Sequence, residues 1–157
     1  MSKTLLAVDL GLKTGLCLYD EHGRLIWYRS RNYGSRPRLK RAVPSVLSEA
    51  GFPDILVIEG GGDLVAPWVN EAKRHGIRIR QINAEAWRRE LLLPREQHHG
   101  PDAKRNADKL ARKIIDWSNA KKPTSLRHDA AEAICIGLWG VIREGWLKER
   151  DSPFRLG

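Results

Sequence analysis

The chain has 157 residues, 41% of them hydrophobic and 30% charged, with a net charge of +9. These values describe one globular domain with a sizeable core; they exclude a disordered chain, and no apolar run is long enough to span a bilayer. Only two cysteines occur, Cys17 and Cys135, each in apolar surroundings, so a secreted disulfide framework is not expected and both read as small buried hydrophobes.

In chain order, "TLLAVDL" (4–10) reads as a buried strand closing on one carboxylate, Asp9, and not as a secretory signal. A cytoplasmic location is the corresponding expectation. "TGLCLYD" and "RLIWYRS" follow as two strands joined at "EHG", a Gly-containing hairpin turn. Pro37 suits the first turn of a helix over "RLKRAVPSVLSEA", in which Pro44 predicts a kink or a late start. "ILVIEGGG" is a second fully buried strand and closes on Glu59. "LVAPWVNEAKRHG" predicts a helix stopped at Gly76, "IRIRQI" a strand with one wet face, and "NAEAWRRELLL" a helix capped by Asn83. "PREQHHGPDAKR" reads as a polar loop, after which a long helix runs to about Asn119. "AKKPTSLR" leads into a last helix that ends near Trp146, and a loosely held tail occupies 149–157. The order βββαβαβααα predicts an α/β domain over residues 1–148 with a mixed five-stranded sheet between helices.

Four acids stand out. Asp9 and Glu59 end two central strands, where open α/β sheets place their ligands. Asp129 and Glu132, three apart, share one face at the start of the otherwise apolar last helix, "RHDAAEAICIGLWG". Four converging carboxylates repel one another unless cations neutralise them, and hard oxygen ligands select Mg²⁺ or Mn²⁺. Two such ions about 4 Å apart can activate water and stabilise the leaving oxygen of a phosphodiester. Taken singly, Asp9 could serve a turn and Asp129 the helix dipole; Glu59 before three glycines has no such structural use.

The positive charge is concentrated. Residues 24–41 carry Arg24, Arg29, Arg31, Arg36, Arg38, Lys40 and Arg41 with no acid, the footprint of a phosphate-backbone binder. Residues 102–122 mix both signs with a positive excess.

"LLAVDLGLKTG" with its immediate hairpin, "LVIEGGG" and "HDAAEAICIGLWG" together resemble, over about residues 4–142, the RuvC-like Holliday junction resolvases of the RNase H-like superfamily. The last motif is similar to that family's D-A-A-D-A-L-A-I-A pattern, with Glu132 in place of the final Asp. The resemblance implies an RNase H-like fold and a Mg²⁺-dependent endonuclease, a homodimer that nicks four-way DNA junctions in recombination and repair. It implies catalytic and metal-holding roles for Asp9, Glu59, Asp129 and Glu132. Asp9 would bridge two ions, Glu59 and Glu132 would each hold one, and Asp129 would complete the second site. His128 is implied in a supporting or leaving-group role, as some relatives place a histidine there. Trp68 lies roughly where the family carries a junction-binding aromatic wedge, although a Trp in an amphipathic helix also suits a core. Lys104, Arg105 and Lys109 fall near one helical face and could touch phosphate. His98 and His99 lack the spaced partners of a zinc site. Two further readings stay open: a nucleic-acid-binding module without catalysis, and a nuclease acting on RNA or other structured DNA.

Overall fold

The computed structural model describes residues 2–92 and 100–152, with the side chains of 100–103 and 149 outside that description. Five strands form one sheet: β1 (Thr4–Asp9), β2 (Lys13–Asp20), β3 (Leu25–Asn32), β4 (Ile55–Glu59) and β5 (Arg78–Ile82). Their order is β3-β2-β1-β4-β5. The first three strands are an antiparallel meander; β4 and β5 join parallel. Among the described residues five α-helices pack on it: α1 (Arg36–Glu49), α2 (Val65–Arg74), α3 (Ala84–Leu91), α4 (Gly100–Ser118) and α5 (His128–Arg143). The element order and the mixed sheet are those expected from the sequence.

Side-chain alternation divides the apolar strands between two cores. Leu6, Val8, Leu16, Leu18, Leu56 and Ile58 lie under α1 and α2. Leu5, Ala7, Cys17, Tyr19, Ile55 and Val57 lie on the opposite face, under α3, α4 and α5. Both cysteines are free and buried. Helix α5 is buried on every side from Ala130 to Val141, as its all-round apolar composition requires. Tyr19 Oη donates to the Ile134 carbonyl at 2.6 Å, and Cys17 Sγ to that of Ala133 at 3.0 Å, so the polar atoms of β2 are satisfied by the helix lying on it.

Three details differ from the sequence reading. Helix α1 starts at Arg36, because Ser35 Oγ accepts from the Arg38 backbone N–H, and it continues through Pro44, an exposed position where water can serve the freed carbonyl. Helix α4 begins at Gly100, so "GPDAKR" belongs to its first turns and not to a loop. Helix α5 ends at Arg143, short of Trp146. His98, His99 and the last residues of the tail (153–157) lie outside the described residues. Among the described residues no helix is long and apolar enough to cross a membrane.

Candidate active site

The strand registers line up one row across the sheet. Asp9 on β1 is opposite Glu59 on β4 and opposite Gly15 on β2, and Gly15 is opposite Ser30 on β3. Asp9 and Glu59 follow Ala7 and Val57 by two residues, so both carboxylates point to the face that carries α5. Gly15 makes room for the start of that helix. A Cβ there would lie 1.8 Å from the Asp129 carbonyl oxygen, so only glycine lets α5 descend to this row. Ser30 Oγ donates to Asp129 Oδ2 at 3.4 Å, fixing that acid beside the strands. One turn on, Glu132 is 4% exposed and faces the same region. The four predicted acids therefore meet at the carboxyl ends of β1 and β4, under the N-terminal turn of α5.

The acids act on one another electrostatically. Burial raises the Asp9 pKa, and Glu59 raises it further by accepting a hydrogen bond from the protonated Asp9 carboxyl. The charges of Glu59, Glu132 and Asp129 add to the effect, and the group is pushed up to about 9. Glu132 is also raised, chiefly by burial, with Arg88 opposing the shift.

Arg88 has no signal in the sequence, being one of several arginines on α3. The structure places its Nη2 3.2 Å from Glu132 Oε1, and 44 residues separate the partners. His128 Nε2 stands 3.4 Å from the same oxygen. Burial and the neighbouring Lys104 charge hold His128 below the ordinary histidine value. Among the described residues no three acids, histidines or cysteines stand close enough, as they are, to hold an ion together. Glu132 is engaged by Arg88 and His128 instead. The donor set nevertheless suits a divalent cation: four carboxylates face one region, and burial together with the neighbouring acids raises the Asp9 pKa.

The remaining predicted contacts are scattered. Trp68 is wholly buried, among the α1 and α2 core residues, and cannot serve as an exposed wedge; the amphipathic spacing of α2 places it inward. Lys104 is exposed on α4 and its charge reaches both Glu132 and His128, whereas Arg105 and Lys109 are exposed on the same helix. The stretch 24–41 does not form one free basic face. Arg24 stacks on Trp117 with its guanidinium 3.6 Å from the ring centroid. Arg29 pairs with Glu49 at 2.9 Å and Arg36 with Asp63 at 3.1 Å. Arg31, Arg38, Lys40 and Arg41 are exposed.

Two solved structures are similar to the whole arrangement. T. thermophilus RuvC, in complex with a Holliday junction substrate, superimposes with a TM-score of 0.63 over 91% of this chain and 96% of its own, at 15% identity. The chain has the RuvC fold. The yeast mitochondrial Holliday junction resolvase Ydc2 matches with a TM-score of 0.57 over 94% of this chain and 82% of its own, at 11% identity. No protein-family model and no curated protein sequence matches the chain. At these identities the RuvC likeness is one of fold, and the acids have to be argued on their own geometry.

Proposed function

We propose that this protein is a metal-dependent endonuclease that cuts branched DNA, with four-way junctions as its preferred substrate. The observation that carries the reading is the row Glu59–Asp9–Gly15–Ser30, onto which Gly15 admits the acid-bearing start of α5. Asp9, Glu59, Asp129 and Glu132 would hold two divalent cations, Mg²⁺ or Mn²⁺ by the hardness of their oxygens. Bound there, such ions supply a water nucleophile at neutral pH and stabilise the leaving oxygen.

The chain's own residues must change partners first. Asp9 releases the proton it shares with Glu59, and Glu132 parts from Arg88. Freed, Arg88 remains beside the acids as a fixed positive charge suited to a non-bridging phosphate oxygen. Ser30 keeps Asp129 oriented through the exchange. His128 is held toward its neutral form and stands beside Glu132 at the rim of the cluster, where a leaving oxygen could take a proton from solvent. Symmetric resolution of a junction needs two such sites, so the reading includes a homodimer.

The Arg88–Glu132 ion pair favours a second reading, a non-catalytic nucleic-acid-binding module. An arginine can neutralise the acids permanently in place of a cation. One experiment separates the two. A labelled synthetic four-way junction is incubated with Mg²⁺, Mn²⁺ or chelator, beside linear duplex and an RNA–DNA hybrid. Paired nicks in the junction, lost with chelator and in Asp9→Asn, are expected. Cutting of the hybrid alone would move the activity to RNA, and tight binding without cutting under either metal would overturn the nuclease reading.

A further inference from the structure

The segment "AKKPTSLR" connecting α4 to α5 has no assigned role, yet it carries Lys121, Lys122 and Arg127 and no acid. The structure lays it along β3, the edge strand of the sheet. Tyr28 Oη donates to the Lys121 carbonyl, tying the segment to the strand. Between them runs an open groove of about 690 Å³. Arg29, Lys121, Lys122 and Arg127 line it with the hydroxyls of Thr124 and Ser125, and no carboxylate does. Among the described residues only Arg29 of the four cations is paired, with Glu49; its guanidinium also lies 4.4 Å over the Trp27 ring, which orients it. Lys121, Lys122 and Arg127 are exposed. Like charges that line one groove repel one another, and no carboxylate lines it to offset them.

The groove also leads to the acids. Arg127 immediately precedes α5, two residues before Asp129, and Tyr28 on β3 is two residues from Ser30, which holds Asp129. A strand rises about 3.3 Å per residue, so Tyr28 and Ser30 are about 7 Å apart. Phosphates along one strand of duplex DNA follow at about 3.4 Å of helix axis. A duplex whose scissile phosphate sits at the acids would therefore bring backbone two or more base pairs away into this groove.

We infer that the groove between β3 and the α4–α5 connection is a phosphate-backbone track for one duplex arm of the DNA substrate. It grips the arm as it leaves the active site. The inference rests on the reading of the protein as DNA-acting. Lysines, an arginine and hydroxyls contact phosphate without reading bases, so the track positions the arm and confers no sequence preference. It was not visible in the acid-free stretch 24–41, because the three exposed cations come from a segment some ninety residues later that meets β3 only in the fold.

The test is equilibrium binding of a fluorescein-labelled four-way junction by the full chain in chelator, over a salt series. The variant is Lys121→Ala, Lys122→Ala, Arg127→Gln, and circular dichroism checks its fold. The control is Lys3→Ala, Lys73→Ala, Lys148→Ala, which removes the same charge from exposed positions outside the groove. Each lost phosphate contact lowers the slope of log K against log salt by about 0.9. The groove variant is expected to lose about 2 to 3 from the slope and to bind at least tenfold more weakly at 0.15 M salt, with the control near wild type. Equal weakening of variant and control, with wild-type junction binding intact, would overturn the groove and leave the nuclease reading standing. Failure of the wild-type chain to bind the junction at low salt would overturn both.

Discussion

Asp9 holds a proton that an ordinary aspartate would have lost by pH 5. Its unperturbed value is 3.8 and its value in the fold is about 9, raised by burial and by the acids around it. Between those limits the folded chain binds a proton that the unfolded chain releases, so stability must fall as pH rises through this window. The raised pKa of Glu132 adds to the slope with the same sign. Asparagine at position 9 can still donate to Glu59 and has no charge to suppress. In chelator, Asp9→Asn is expected to be more stable than wild type at pH 8 by at least about 1.4 kcal/mol, the equivalent of one pKa unit. The gain should shrink toward pH 4. Urea midpoints at pH 4, 6 and 8 check this; parallel curves for the two proteins would show that the acids do not act on Asp9.

At the scale of elements, the site depends on how deeply α5 settles onto β2. Gly15 and Gly137 set that depth: a Cβ at Gly137 would meet the Tyr19 ring at 2.2 Å, as one at Gly15 would meet the Asp129 carbonyl. In both cases the obstacle is part of the packed core or the backbone, which yields poorly. Gly15→Ala is therefore expected to cost about 2–3 kcal/mol in urea unfolding and to displace Asp129 from Ser30. Junction cleavage should then fall further than stability alone accounts for. The elements themselves were legible in the sequence, since apolar runs such as "LLAVD" and "ILVIE" end on the acids and helices are marked by caps such as Asn83. The four acids were legible for the same reason, because strand ends and an i, i+3 pair are local patterns. Arg88 was not, since an ion pair across 44 residues leaves no local trace, and neither was Gly15, whose role appears only when α5 is set against it. Trp68 allowed two readings in the sequence, wedge or core, and its place on the inward side of α2 makes it core.

For the whole molecule, the acid cluster is a charge imbalance inside a protein whose net charge is +9. The surplus of arginine and lysine lies mostly outside the cluster, and Arg88, with Lys104 nearby, is the compensation the fold provides at Glu132. Two apolar cores, one on each face of the sheet, hold the acids together against their repulsion. A divalent cation bound by the folded chain alone would relieve that repulsion and raise the melting temperature by mass action, by about 2.7 kcal/mol of stability at a hundred times its dissociation constant. Arg88 competes with such an ion for Glu132. Removing it leaves a buried carboxylate without its cationic partner, a loss of about 1–3 kcal/mol in chelator. Arg88→Ala should therefore melt below wild type in chelator and show a larger upward shift with Mn²⁺, whereas Asp9→Asn should show almost none. Differential scanning fluorimetry over a Mn²⁺ titration reads all three. If wild type and Arg88→Ala both ignore Mn²⁺ and Mg²⁺, the acids are neutralised by protons and Arg88 alone, and the fold serves binding without cutting.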